Sequence, residues 1–187
     1  VITDDDAWLC VMTTCQGSEG DPGQHVVTMR STDQGKTWDN PVNVEPEGSP
    51  ENSYAVLYKA ASGRIYCFYD YNTEDRRYAI ADNPPYPEGK CYRVDSLGDF
   101  VFKFSDDHGR SWSDQHYVIP VREFECDRNN PYQGKVRFFW NVGKTFELDG
   151  AVYVPIHKVG RLGKGFFAKS EGALLRNRKT PFKKARV

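Results

Sequence analysis

Strand-length runs separated by turn residues set the rhythm of this chain. Residues 7–14 (Ala-Trp-Leu-Cys-Val-Met-Thr-Thr) form a largely apolar run, and residues 25–30 follow across a loop of Gly and acids. Residues 54–59 and 64–71 are two further runs joined by Ala60-Ala61-Ser62-Gly63, and residues 100–104 read Phe-Val-Phe-Lys-Phe. Short runs at 42–44 and 117–119 complete two more hairpins, and residues 145–148 and 151–158 flank Asp149-Gly150, a hairpin turn signal. Residues 166–177 supply one more strand. The pattern predicts an all-β, antiparallel protein. Two segments break it: residues 72–97, with Pro84-Pro85-Tyr86-Pro87, and residues 121–140, dense in charge and aromatic rings. Insertions of that kind lie on a rim, where loops build binding surfaces. Tyr78, Tyr86 and Tyr92 of the first can stack on a sugar ring or staple the loop to the body.

Composition adds limits. The chain has 187 residues, 39% of them hydrophobic and 14% aromatic, enough for a β-rich core. Its 25 basic and 26 acidic residues leave a net charge of −1, so no general field draws it to nucleic acid or an anionic membrane. No apolar run approaches the roughly 20 residues of a membrane span, and the opening Val1-Ile2-Thr3-Asp4-Asp5-Asp6, with neither signal peptide nor initiating Met, reads as the interior of a longer protein. Compartment is not signalled. Cys10, Cys15, Cys67, Cys91 and Cys126 are odd in number and lack a Cys-x-x-Cys pair; they read as buried thiols, with a pairing of Cys10 and Cys15 across a bend as the alternative. His25, His108, His116 and His157 share no metal-ligand spacing, so neither metal nor cofactor is indicated. Gly35-Lys36-Thr37 ends like a phosphate-binding loop, but Arg30 stands where that motif needs Gly.

One octapeptide is written twice: Ser31-Thr32-Asp33-Gln34-Gly35-Lys36-Thr37-Trp38 and Ser105-Asp106-Asp107-His108-Gly109-Arg110-Ser111-Trp112. Each sits between two β runs, which predicts a hairpin turn. Its Asp accepts backbone N–H groups, its Gly takes a positive φ, and its Trp closes the turn against the sheet. The motif resembles the Asp box, or BNR repeat, of the sialidase (neuraminidase) superfamily, and the match is good over residues 24–119. The resemblance implies a six-bladed β-propeller of four-stranded antiparallel blades, with the box on the side away from the catalytic pocket. The copies begin 74 residues apart, and removing the 26 residues of 72–97 leaves 48, close to the roughly 40–50 residues of a blade. By that count the chain holds about three blades, roughly 1–46, 50–120 and 140–187. That is too few for a closed ring of roughly four to eight blades, so the remaining blades of a parent chain are expected partners.

The resemblance also implies chemistry: a retaining exo-α-sialidase type of glycoside hydrolase acting on terminal acidic sugars, with three arginines on the substrate carboxylate, an Asp acid/base and a Tyr nucleophile activated by a Glu. Asp21, or failing that Glu19, occupies the loop where the family carries its acid; the same loop also reads as a solvated turn. Arg122, Arg128 and Arg137 are the candidate carboxylate ligands, and Glu123 or Glu171 the supporting acid. Asn141, Lys144 and His157 are candidate sugar contacts beside Trp140. An ion-pair network of Arg122 or Arg128 with Glu125 or Asp127, tying down a long loop, accounts for the same charges. The family's Arg-Ile-Pro motif is absent, and Thr13-Thr14-Cys15-Gln16 stands where an Arg often ends the second strand. No third box follows residue 177, and the basic tail of Lys179, Lys183, Lys184 and Arg186 reads as a solvated end. A non-catalytic propeller binding glycan or protein, and a lyase or other exo-glycosidase on acidic polysaccharide, are the alternatives.

Overall fold

The computed structural model describes residues 1–141 and 143–178, apart from the side chains of Phe166 and Arg178. The basic tail and the end of the third expected blade lie outside the described residues. Strands β1 (Trp8–Thr14), β2 (His25–Ser31) and β3 (Val42–Asn43) form one sheet in chain order. The second contains β4 (Asn52–Lys59) and β5 (Ile65–Tyr71), which an inserted hairpin of β6 (Ala79–Ile80) and β7 (Lys90–Cys91) separates in sequence from β8 (Asp99–Ser105) and β9 (Tyr117–Val118). After a four-residue helix, α1 (Glu125–Arg128), the strands β10 (Phe146–Leu148), β11 (Ala151–Gly163) and β12 (Phe166–Arg178) make the third. All pairings between strands are antiparallel. The protein is all-β, an open stack of blade-like sheets with no closed barrel. Among the described residues no helix is long and apolar enough to cross a membrane.

Alternation along the strands builds the stack. In β5, Ile65, Cys67 and Tyr69 meet Leu9, Val26 and Val44 of the first sheet, while Tyr66 and Phe68 meet Phe139, Val154 and Ile156 of the third-sheet side. No residue from 65 to 70 is more than 1% exposed, the signature of a strand covered on both faces. The insertion at 72–97 has its own core: Ala79, Cys91, Val94 and Leu97 pack on Val136, Phe138, Val159 and Leu162. That packing explains why β11 runs past the strand expected at 151–158. A register irregularity between Val159 and Leu162 turns these two residues into the insertion's core, and Lys158 is buried rather than ending the strand.

The two octapeptides link β2 to β3 and β8 to β9 with the same bonds. Ser31 Oγ donates to Asp33 Oδ1 at 2.8 Å and accepts from Gly35 N at 2.7 Å, as Ser105 does with Asp107 (2.7 Å) and Gly109 (2.8 Å). Asp33 then accepts from Thr37 N at 2.8 Å, and Asp107 from Ser111 N at 2.9 Å. Their tryptophans differ. Trp112 Nε1 donates to Thr28 of the first sheet at 3.1 Å, whereas Trp38 is 40% exposed. Gly35 of the first octapeptide lies between Trp38 and Trp8 of β1.

Candidate functional site

Where β4 begins, the pairing with β5 slips between Ser53 and Val56, and Tyr54 takes a left-handed φ of 54°. A non-glycine residue holds that conformation only when its surroundings enforce it, and such residues cluster at functional sites. Here the enforcement is polar. The Tyr54 hydroxyl accepts from Arg93 Nη2 at 2.6 Å and lies within donating reach of Asp95 Oδ2 and of Glu19 Oε1, the latter at 3.0 Å. Arg93 Nε donates to both Asp95 oxygens at 2.9 Å, and its Nη2 lies 2.7 Å from Glu19. Three separate segments meet at this phenol: the loop before β2, the start of β4 and the insertion.

Burial and the Asp95 charge both push the Tyr54 phenol far above its ordinary value. Burial pulls Arg93 down, but Asp95 and Tyr54 outweigh it and its guanidinium is held more firmly protonated than usual. The phenol is therefore neutral unless a carboxylate takes its proton. Beside it stands an aromatic wall: Trp140 meets the Tyr54 ring edge-on at 6.0 Å, stacks with His157 at 5.9 Å and touches Phe167 at 4.4 Å.

Beneath the phenol lies a second layer of buried charge. Glu51 accepts from the Ser53 hydroxyl through Oε1, while its Oε2 is buried without a hydrogen bond. Burial pushes Glu51 up to about 8, against the pull of Ser53. Asp70, opposite Ser53 on β5, is fully buried with neither oxygen hydrogen-bonded. Burial first, and then Glu51, raise it well above the usual carboxylate range. Lys158 is buried as deeply, 2.9 Å from Asp127 Oδ1 and 3.5 Å above the Phe139 ring. That pair is a charge contact without hydrogen-bond alignment, and burial lowers Lys158 despite Asp127. Among the described residues no group of His, Cys, Asp and Glu is placed to hold a metal ion, and all five cysteines are free.

The residues singled out from sequence fall in several places. Asp21 is exposed and its Oδ2 accepts from Ser18 N at 2.6 Å, closing its own loop; Glu19 of that loop reaches the phenol. Arg122 is exposed, 4.9 Å over the Phe124 ring. Arg128 ends α1. Arg137 donates from Nη1 to the Val121 carbonyl at 2.6 Å. The three guanidinium groups thus have different surroundings. Glu123 is exposed and lies against Gly134. Glu171 Oε1 accepts from Cys126 N at 2.6 Å, and that bond holds its carboxyl below the usual range. Asn141 is buried with both side-chain polar atoms unpaired, Lys144 is exposed at a groove beside Val1 and Leu57, and His157 lies in the aromatic wall. Asp127 is paired with Lys158, and its Oδ2 accepts from Phe124 N at 2.9 Å. The tie between strand and loop therefore uses a lysine of β11 rather than Arg122 or Arg128. Tyr54, Arg93, Asp95, Glu51 and Asp70 were not singled out from sequence; the pairing of Arg93 and Asp95 in a charged insertion was the available signal.

No protein-family model matches the chain. No curated protein matches it either. Among solved structures, a protein of unknown function from Dyadobacter fermentans DSM 18053 is similar at a TM-score of 0.64 and 16% identity, over 95% of this chain and 49% of that one. The Hadza microbial sialidase Hz136 is similar at a TM-score of 0.61 and 15% identity, over 95% of this chain and 34% of that one. The chain thus spans about half and about a third of their lengths. At these identities the likeness is one of fold, that of a partial sialidase-like β-propeller.

Proposed function

We propose that this chain is part of a sialidase-like glycoside hydrolase that removes a terminal acidic sugar with retention, and that Tyr54 is its nucleophile. The observation that carries the reading is the Tyr54 hydroxyl, held on left-handed backbone among Asp95, Glu19 and Arg93. Two octapeptides that fold alike, read as Asp boxes, and the fold shared with a sialidase support it. Tyr54 Oη attacks the anomeric carbon while its proton passes to Asp95, and the glycosidic bond breaks as Asp21 protonates the leaving oxygen. Asp21 then takes a proton from water, which displaces the tyrosyl oxygen; Asp95 returns its proton to the phenolate. A neutral phenol suits a centre that carries a carboxylate, since an anionic nucleophile would be repelled. Arg93 steadies the developing phenolate, and Trp140 with His157 offers the ring a face to stack on. In this reading Asp95 fills the supporting role for which Glu123 and Glu171 were candidates.

The test is release of fluorophore from a fluorogenic sialoside by the protein at its full natural length. Tyr54→Phe is expected to lose roughly 10³-fold or more in kcat and Asp95→Asn about 10²–10⁴-fold, both with wild-type circular dichroism. Full activity in Tyr54→Phe would exclude the phenol as nucleophile. Glycan binding without turnover in the wild type would favour a binding propeller, a reading that the closed pairing of Arg93 with Asp95 and Glu19 supports.

A further inference from the structure

At the same end of the second sheet, but on its outer side, lies a groove of about 410 Å³. One wall is the turn at 72–76 and the start of β8, the floor is the strand end at 118–121, and the far wall is the extended segment 134–137. Alternation along that segment sends Val136 and Phe138 into the insertion's core, at 5% and 0% exposure. Lys135 and Arg137 are left on the groove side.

The charges lining the groove are not all free. Glu74 is paired with Arg76, whose guanidinium lies 5.0 Å over the Tyr132 ring. Asp99 accepts from the Thr73 hydroxyl at 2.7 Å. The turn itself is rigid, because Asn72 bonds both the N–H and the carbonyl of Arg76, at 3.1 and 2.9 Å. Among the described residues the Lys135 ammonium has no ion pair or hydrogen bond, and Arg137 uses only Nη1, on Val121. Those donors are the groove's unmatched cations, and the Glu123 carboxylate lies beside them against Gly134. Ile119, Pro120 and Val121 provide an apolar floor for the C–H face of a sugar.

We propose that Lys135 and Arg137 form a second sugar site, selective for a residue bearing an anionic oxygen group, either a carboxylate or a sulfate ester. The Arg137 carbonyl accepts from Gly98 N at 2.9 Å, at the head of β8, and from β4 to β8 there are two strand spacings of about 4.8 Å. The site is therefore roughly 10 Å out along the rim from Tyr54, a separation that a chain of sugars spans and a single one does not. Its ligand is an acidic oligosaccharide or polysaccharide. This site goes beyond the hydrolase reading and stands whether or not Tyr54 turns a glycan over.

Calorimetric titration of the full-length protein with oligogalacturonate, a sulfated dextran oligomer and a neutral cello-oligosaccharide tests it. One or both acidic probes should bind, more weakly as salt is added, while the neutral one gives no heat; the probe that binds identifies carboxylate or sulfate. Lys135→Glu, at an exposed position, should weaken binding about tenfold or more, and Lys135→Gln by less. Tyr54→Phe should weaken binding less than Lys135→Glu does. The proposal is overturned if no acidic probe binds, if the neutral sugar binds as tightly, or if Lys135→Glu leaves affinity unchanged. It is equally overturned if Tyr54→Phe abolishes binding, which would put the acidic sugar at the phenol instead.

Discussion

Left-handed backbone costs a residue with a side chain about 1–2 kcal/mol, and at Tyr54 that cost is offset by hydrogen bonds to one arginine and two acids. Glu51 and Asp70 behind it are buried acids without full hydrogen bonding, and the same burial that disfavours their charge makes folding depend on pH. Glu51 is pushed up to about 8 in the folded chain, against about 4.3 when unfolded. With the folded value the higher, its contribution to stability is complete below about pH 4 and is lost as pH rises through about 8. Asp70 acts in the same direction. Urea midpoints of the wild type should therefore fall between about pH 5 and pH 8, by an amount on the order of a few kcal/mol in stability. Glu51→Gln should fall less steeply over that window. A variant curve parallel to the wild type's would remove Glu51 as a cause.

Elements are joined by contacts that leave little tolerance. The insertion returns to β8 through Gly98, at φ 115°, where an added Cβ would collide with the Tyr71 carbonyl oxygen. Gly98→Ala must displace β5 or β8 and is expected to cost about 3 kcal/mol or more, read as a lowered thermal midpoint. The octapeptides make a graded comparison. The second is wedged between sheets by Trp112 on Thr28, by Gly109 against Leu9, and by the His108 carbonyl accepting from Arg30. The first packs Gly35 against Trp8 of its own sheet and leaves Trp38 exposed. Asp107→Ala should thus destabilise the chain by about 1–3 kcal/mol, and Asp33→Ala by less; equal effects in chemical denaturation would mean that the wedge contributes nothing.

For the molecule as a whole, the strands could be read from sequence because each covers a neighbour with every second residue, and Phe-Val-Phe-Lys-Phe at 100–104 or the repeated octapeptide says so locally. The polar centre could not be read that way. Tyr54 stands 39 positions from Arg93 and 41 from Asp95, and they meet only because the 72–97 insertion folds back on its own core. Nothing in the residues of 51–56 announces a slipped register. Of the residues picked for chemistry, Glu19 and His157 reach the phenol or its aromatic wall, since loop and strand placement followed from the hairpin order. The arginines of 121–140 depended on how a long connection coils, including the short α1, and alternation is silent on that. The unequal tryptophans have a further use. With Trp8 and Trp140 replaced by Phe, Trp38 should be quenched readily by iodide and report on solvent. Trp112 should emit further to the blue and shift only when the first two sheets part, so one cuvette would tell local fraying from separation of the blades.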